Sequence, residues 1–242
     1  MHERTALIFR TAFIAVTIVV VAAAVGVAVT TRTPAPSAVL PPTLRPSPSP
    51  SPAPSVVPHE SFPPVYGLVT LGDSLTAGGA WQVDLVKEDP YLILLGNAGV
   101  GGDTTGGMLR RLDADVFVAH APDVVIILGG TNDTGQGVPQ ATTIGNLRAI
   151  VRQVKGHKVQ PVLMTIPPRS DLAFVARVRA LNRAIVALAH EEAVPIVDVY
   201  AAVAAANGTY RPEMTIDGVH MTSAGNQAVA DAIAKVFSGL GM

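Results

Sequence analysis

Residues 65–242 contain short apolar runs that alternate with stretches of helical apolar spacing, and this alternation constrains the fold more than any other feature. The stretch 171–192 predicts a helix with Asp171 as its N-cap, and 223–237 predicts another that starts at Ser223. Strands that alternate with helices form parallel βαβ units, so we predict an α/β fold with an open parallel sheet and helices on both faces. The five runs of strand length are Gly67–Leu71, Tyr91–Leu95, Val124–Leu128, Val159–Thr165 and Val194–Val199.

The beginning of the chain has a different character. Residues 11–29 carry no charge and are mostly apolar, and two arginines precede them. This length suits an uncleaved membrane anchor slightly better than a signal-peptide core, but Gly26 and Ala28 also fit a cleavage site. A buried core helix is disfavoured because a proline-rich tract follows directly. We therefore predict that residues 1–32 are an N-terminal signal anchor or signal peptide that inserts into the membrane, and that the rest is extracytoplasmic.

Residues 33–64 consist mainly of proline, serine and alanine, with too few bulky apolar groups to fold. Such a tract adopts an extended, polyproline-like conformation. It predicts an extracytoplasmic linker that carries residues 65–242 away from a membrane. A proline-rich ligand for another module is the alternative interpretation.

Composition excludes several classes of function. The chain has no cysteine, so it has no disulfide, thiol nucleophile, thiolate metal site or lipid-modified cysteine. The formal net charge is −1 and no basic block follows residue 32, which gives no indication of nucleic-acid binding. Because the chain can form no disulfide, the domain over residues 65–242 must be stabilised by its core alone.

In open α/β sheets the functional groups collect in loops beyond the carboxyl ends of the strands. The loop after the first predicted strand contains Ser74, between Asp73 and Leu75. A serine hydroxyl is a poor nucleophile unless a base removes its proton. Asp-Ser before a helix is also a common capping arrangement, so this loop alone does not decide between the two roles.

The second and third loops offer hydrogen-bond donors. Residues 97–104, NAGVGGDT, are rich in glycine, which allows close approach of backbone N–H groups; the lysine of a phosphate-binding P-loop is missing. A flexible turn with Asp103 or Thr104 as a helix cap is the alternative. In Gly129–Asp133, the amide of Asn132 is a neutral donor of the kind an oxyanion site needs, although Asn132 as a turn residue and Asp133 as a helix cap are equally compatible.

The fourth loop, Asp217–His220, precedes the last predicted helix. An imidazole accepts and returns a proton near neutral pH, and a carboxylate three residues earlier can bond its other nitrogen and fix the tautomer. A metal site at Asp217 and His220 lacks convincing further ligands.

Taken together, the stretches LGDSLTAG, NAGVGGDTT, PDVVIILGGTND and TIDGVHMTSAGNQAVADAI resemble, in this order, the GDSL or SGNH hydrolase family. The resemblance implies that Ser74 is the nucleophile, that His220 is the general base and then the acid, and that Asp217 orients His220. It also implies an oxyanion hole formed by the N–H groups of Ser74 and Gly102 and the side-chain amide of Asn132. Gly102 is preferred to its neighbouring glycine because the family's glycine usually directly precedes the Asp-Thr pair.

The same resemblance implies a three-layer α/β/α sandwich with a five-stranded parallel sheet, a flavodoxin-like arrangement, as an SGNH hydrolase domain over residues 65–242. The implied activity is that of a serine esterase or acylhydrolase, which needs no cofactor or metal. Short connections between the motifs favour short-chain or acetyl esters of lipids or cell-surface glycans as substrates. An acyltransferase that uses the same acyl-enzyme and a non-catalytic glycan-binding module remain as alternatives. The oligomeric state is not predicted.

Four further side chains are candidates either for lining the pocket or for ordinary packing, and they are Thr76, Trp81, Arg169 and Tyr210.

Overall fold

The computed structural model describes residues 64–241. The predicted signal anchor or signal peptide and all but the last residue of the predicted linker lie outside this range. Within the described range, no helix combines the length and the apolar character that a membrane span requires. The membrane insertion and extracytoplasmic location therefore stay predictions from the sequence.

The predicted parallel sheet is confirmed: five strands pair in parallel in the order β2-β1-β3-β4-β5. Their bounds are Tyr66–Gly72 (β1), Leu92–Gly99 (β2), Val124–Leu128 (β3), Gln160–Met164 (β4) and Ile196–Val197 (β5). Two strands, β2 and β5, differ from the prediction by more than one residue at an end. β2 runs four residues beyond Leu95 because Gly96–Gly99 pair with the end of β1 after a bulge. β5 is only two residues long, because Pro195 precedes it and Asp198 already caps the next helix.

Helices cover both faces of the sheet. They are α1 (Ser74–Ala77), α2 (Ala80–Glu88), α3 (Thr105–Leu112), α4 (Thr131–Gln136), α5 (Gln140–Gly156), α6 (Val175–Glu191), α7 (Val199–Val203) and α8 (Ser223–Leu240). Helices α2 and α7 pack against α8, whereas α5 packs against α3 and α6, so the helices form two groups and the fold is the expected α/β/α sandwich. Shorter turns are a π-helical turn at Asp113–Val118 and 3₁₀ helices at Leu172–Phe174 and Pro212–Met214.

Burial follows this layering. Every residue of β3 is buried, as expected for a central parallel strand that helices cover on both faces. The edge strand β2 instead leaves Ile93 and Leu95 exposed. The largest fully buried side chains include Trp81 from α2 and Phe237 from α8.

Both predicted helices are present, but the first begins later than predicted and the second extends further. Asp171 does cap, but it caps the 3₁₀ turn, where its Oδ1 accepts from the N–H of Ala173 at 2.9 Å; α6 itself starts at Val175. The last helix starts at Ser223 as predicted and extends to Leu240. Its N-cap is Thr222, whose Oγ1 accepts from the N–H of Gly225 at 3.2 Å.

One close contact positions the start of α1 against the edge strand. A Cβ atom at Gly99, the last residue of β2, would overlap the backbone nitrogen of Ala77. Backbone atoms cannot move aside as a flexible side chain can. Gly99 therefore allows α1 to lie directly against β2, which fixes the position of the helix that begins with Ser74.

We predict that Gly99→Ala lowers the free energy of unfolding by about 1–3 kcal/mol, because overpacking forces the backbone apart. Gly101→Ala is the matched control, since nothing lies within 4 Å of the Cβ position at Gly101. The control should change the free energy by less than about 1 kcal/mol. Urea unfolding followed by the fluorescence of Trp81, the single tryptophan of the chain, measures both. Equal stability of the two variants would contradict the argument.

Candidate active site

Ser74 lies at a tight turn between β1 and α1. The preceding residue, Asp73, caps α1 through its Oδ1, which accepts from the N–H of Leu75 at 2.9 Å. A side chain at Gly72 would overlap Thr76 and the carbonyl oxygen of Leu128, so the turn tolerates only glycine there. Both roles suggested by the sequence are thus compatible: Asp73 is the cap, and Ser74, half-buried, presents its hydroxyl at the carboxyl edge of the sheet.

The predicted histidine and carboxylate lie next to this hydroxyl. His220 Nε2 is 3.0 Å from Ser74 Oγ, although 146 positions separate the two residues. On the other side of the ring, His220 Nδ1 is 2.7 Å from Asp217 Oδ2. The three side chains therefore form one hydrogen-bonded series that ends at the serine hydroxyl.

The bonds to His220 and to nearby backbone fix the carboxylate of Asp217. Its Oδ1 accepts from the backbone N–H groups of Val219, at 2.9 Å, and of His220, at 2.8 Å. The side-chain bond to His220, followed by these backbone bonds, holds the pKa of Asp217 well below its usual range. The carboxylate of Asp217 therefore stays ionised at neutral pH, where it accepts from the imidazole of His220.

Hydrogen bonds from neighbouring residues hold the loop Asp217–His220, the histidine loop, in place. The N–H of Ser170 donates to the carbonyl of Gly218 at 2.9 Å, and Tyr210 Oη donates to the carbonyl of Val219 at 3.0 Å. Gly218 has a φ of +86°, a conformation that favours glycine. Burial is the main reason that the pKa of the Tyr210 phenol is raised far above its ordinary value, so this donor stays protonated.

Asn132 connects the first two loops. Its Nδ2 donates to the carbonyl of Asp103 at 2.9 Å and lies 3.3 Å from Asp73 Oδ2. The amide is therefore adjacent to the residue before Ser74 and to the residue after Gly102. The structure places it where the sequence predicts, at the same edge of the sheet as Ser74 and His220.

Gly102 lies in a turn closed by the bond from Asp103 N–H to the carbonyl of Val100, at 3.1 Å. Its φ of +77° is typical of the third residue of a type II turn, which explains the glycine. In the part of the chain that the structure describes, the N–H groups of Gly102 and Ser74 donate to no protein acceptor. Gly102 makes no direct hydrogen bond to the other predicted site residues in the described range.

Two polar residues that support the site carry signals too weak for the sequence to assign. Arg111, on α3, donates to the carbonyls of Ala98 at 2.7 Å and Gly72 at 2.8 Å, and its Nε is 2.7 Å from Asp103 Oδ2. Its spacing in the sequence is that of an ordinary exposed helical cation, so nothing there indicates this role.

Asp133 is the second supporting residue, and the alternative interpretation of it as a helix cap is wrong, because it lies inside α4. Its Oδ1 accepts from Thr105 Oγ1 at 2.5 Å and from Thr143 Oγ1 at 3.1 Å, and its Oδ2 accepts from the N–H of Thr105 at 2.9 Å. The carboxylate is buried and joins α3 to α4 and α5. Gly130 occupies the N-cap position of α4 instead.

A cavity of about 280 Å³ opens beside Ser74. Its other lining residues are mainly small or apolar, and they are Leu75, Gly78, Ala80, Ile216, His220, Met221 and Asn226. Of the earlier pocket candidates, Thr76, Trp81 and Tyr210 belong to the core and do not line this cavity. A larger cavity of about 330 Å³ beside α6 contains none of the predicted site residues.

Fold and site together define a class: an α/β/α sandwich that presents a serine, a histidine and an aspartate in one hydrogen-bonded series at the carboxyl edge of its sheet. A sequence model of the GDSL-like lipase/acylhydrolase family matches residues 70–228. The chain belongs to this family.

Similar proteins of known name include two bacterial enzymes. Thioesterase 1/protease 1/lysophospholipase L1 of Escherichia coli is 31% identical over 180 residues, which are 69% of this chain and 81% of that protein. An arylesterase of Vibrio mimicus is 34% identical over 114 residues, which are 42% of this chain and only 56% of the arylesterase. This chain therefore matches little more than half of the arylesterase's length.

Solved structures show the same fold. A GDSL-like lipase from Bacteroides thetaiotaomicron superimposes with a TM-score of 0.63 and 26% identity, covering 74% of this chain and 93% of the other. An acetylxylan esterase from Geobacillus stearothermophilus gives a TM-score of 0.62 at 22% identity, covering 72% and 95%. The second likeness concerns the fold alone.

The buried carboxyl group of Asp73 makes the stability of the fold depend on pH. Burial raises its pKa from 3.8 to about 6, and the bond from Leu75 N–H only partly opposes this. Between these two values the folded chain binds more protons than the unfolded chain. The contribution of Asp73 to stability therefore falls as pH rises through this window, and the deficit persists above it.

We predict that the stability of Asp73→Asn relative to the unsubstituted chain increases by about 2–3 kcal/mol as pH rises from about 4 to about 7, because asparagine does not titrate. The comparison cancels the titration of groups that do not interact with Asp73. Urea unfolding of both proteins across this pH range measures the difference. A constant difference would show that Asp73 titrates alike in the folded and unfolded chains.

Proposed function

We propose that this chain hydrolyses carboxylic esters through an acyl-enzyme on Ser74. The observation that carries this proposal is the hydrogen-bonded series from Ser74 Oγ to His220 Nε2, at 3.0 Å, and from His220 Nδ1 to Asp217, at 2.7 Å. A serine becomes an effective nucleophile when a positioned base takes its proton and a third group orients that base. The names of the two related enzymes, an arylesterase and a thioesterase/lysophospholipase, support acyl transfer to water as the reaction.

The first half of the reaction forms the acyl-enzyme. Ser74 Oγ attacks the acyl carbonyl carbon while His220 Nε2 takes the hydroxyl proton. The carbonyl oxygen becomes an oxyanion, which the N–H groups of Ser74 and Gly102 and the amide of Asn132 stabilise. The tetrahedral intermediate then expels the alcohol, which leaves with the proton from His220. Asp217 stabilises the imidazolium without taking its proton.

The second half repeats these steps with water. His220 takes a proton from water, whose oxygen attacks the acyl carbon of the ester on Ser74. Collapse of the second tetrahedral intermediate releases the carboxylic acid and returns the proton to Ser74 Oγ. The same donors stabilise both oxyanions, and no group outside the described residues is required.

Short-chain or acetyl esters of lipids or surface glycans are the substrates that we propose. The cavity beside Ser74 is small, about 280 Å³, and Ile216 and Met221 line it together with small residues. Such a volume suits a short acyl group better than a long chain. Extracytoplasmic glycans and lipids are accessible if residues 1–32 act as a signal anchor or signal peptide, as their sequence predicts; fractionation of cells expressing the full chain checks this location.

A fluorophosphonate probe tests the nucleophile directly, because it reacts only with an activated serine. We predict that residues 64–242 are labelled at Ser74, that Ser74→Ala abolishes both labelling and hydrolysis, and that Asn132→Ala lowers kcat by about 10²–10³-fold. Circular dichroism of each variant serves as the folding control. Full hydrolysis by folded Ser74→Ala would overturn the proposed mechanism.

The acyl preference follows from the size of the cavity. Among para-nitrophenyl esters we expect kcat/KM to be highest for acetate or butyrate and to fall for octanoate and palmitate. Replacing Ala80 by leucine should narrow the cavity and increase the preference for acetate over butyrate. A clear preference for palmitate would contradict the proposed substrate class while leaving the nucleophile unaffected.

A further inference from the structure

The carboxyl edge of the sheet extends from Ser74 in two chemically different directions. On the side of α8 lies the cavity described above, whose lining contains no lysine or arginine. On the other side, β3 and β4 follow β1 in the sheet, and the connection after β4 carries Arg169. Neighbouring strands are about 4.8 Å apart, so this connection starts roughly 10 Å from the end of β1. An ester bound at Ser74 has room to reach both sides.

Two contacts position the guanidinium of Arg169. Its Cζ lies 4.4 Å from the centroid of the Phe174 ring, which is a cation–π contact. A Cβ atom at Gly135 would be 3.2 Å from Arg169 Nη1, so the guanidinium lies against α4, the helix that carries Asn132. The guanidinium therefore lies against a residue three positions after the predicted oxyanion donor Asn132, about one helical turn away.

The backbone connects Arg169 equally closely to the histidine loop. The N–H of Ser170 donates to the carbonyl of Gly218 at 2.9 Å. Arg169 is also close enough to Tyr210, which bonds this loop, to act on its pKa. The guanidinium thus lies between the element that carries Asn132 and the loop that carries His220.

The charge of Arg169 has no partner within residues 64–241. No carboxylate there lies within 4.0 Å of the guanidinium, and the guanidinium donates no hydrogen bond to the protein. Arg177, which faces the same Phe174 ring at 5.7 Å, differs because it donates to the carbonyl of Thr134 at 2.9 Å. A guanidinium stacked on a ring still presents its N–H donors in its own plane.

We propose that Arg169 determines specificity by binding an anionic group, a carboxylate or a phosphate, on the alcohol portion of the ester. The inference rests on the proposed function and names a feature of its substrate. The cavity on the α8 side is apolar and takes the acyl group, which leaves the alcohol to extend over Asn132 towards Arg169. A guanidinium can donate two parallel N–H···O bonds to a carboxylate or to a phosphate.

The test compares ester pairs in which one member is anionic and the other neutral, and differences in intrinsic reactivity cancel when the same pair is measured in two protein variants. On the alcohol side, para-acetoxybenzoate and para-acetoxyphenyl phosphate are each compared with para-acetoxybenzamide. On the acyl side, the para-nitrophenyl monoester of succinate is compared with para-nitrophenyl butyrate. The measured quantity is the ratio of kcat/KM for the charged ester to that for the neutral one, within each protein, so that a general loss of activity cancels.

For the alcohol-side pairs, we expect Arg169→Gln to lower this ratio roughly 10–100-fold, the usual effect of losing charge-assisted hydrogen bonds. Arg169→Lys should give an intermediate ratio, because the charge remains but the paired donors are lost. Arg183→Gln is the matched control: Arg183 is an exposed cation of α6 outside this region, and its removal should leave the ratio unchanged.

The outcomes separate the inference from the proposed function. Hydrolysis of both members of each pair with ratios insensitive to Arg169→Gln overturns the inference and leaves the function standing. An equal fall for the succinate pair overturns the assignment of the anion to the alcohol. Comparing the ratios for the carboxylate ester and the phosphate ester shows which of the two anionic groups Arg169 binds better. If no ester is hydrolysed at all, the proposed function fails and the inference fails with it.

Discussion

At the carboxyl edge of the sheet, backbone carbonyls at the strand ends accept hydrogen bonds from a side chain, and the geometry of this site depends on these bonds. The guanidinium of Arg111 takes the carbonyls of Gly72 and Ala98, one at the end of each of two neighbouring strands, together with the carboxylate of Asp103. The guanidinium is planar and rigid, so it fixes the turn before Ser74 relative to the glycine-rich loop of residues 97–104. A lysine would supply the charge but could not reach three acceptors in fixed directions.

Behind this first set of bonds lies a second, more deeply buried one. Asp133 accepts three hydrogen bonds from Thr105 and Thr143, so the beginning of α3 cannot move independently of α4 and α5. Because Asn132 precedes Asp133 directly, the same bonds fix the backbone from which the amide projects. A donor for an oxyanion is useful only if it is already aimed before charge develops. The interior network supplies that rigidity for Asn132, whereas the proposed contribution of Gly102 is a backbone N–H from an exposed turn.

The sequence predicted the parts of this structure that depend on local pattern. Strand-length apolar runs predicted the sheet. Ser74 and Asn132 lie at one edge because β1 and β3 both end there, and the loop that carries Asp217 and His220 reaches the same edge before α8 begins. The sequence did not predict the contacts of Arg111 or the role of Asp133. The position of a residue along a helix does not show which distant groups its side chain will bond. Element ends were displaced for a similar reason: the end of β2 is set by pairing with β1 rather than by β-propensity.

The site contains two carboxylates in opposite environments, and this contrast explains their division of labour. Asp217 is exposed and bonded by three donors, which keeps it ionised beside the imidazole. Asp73 is fully buried next to Ser74, and burial raises its pKa to about 6. Asp73, withdrawn from water, serves instead as the cap of α1 and as a hydrogen-bond acceptor for the Asn132 amide, so its bonds position the turn that carries Ser74.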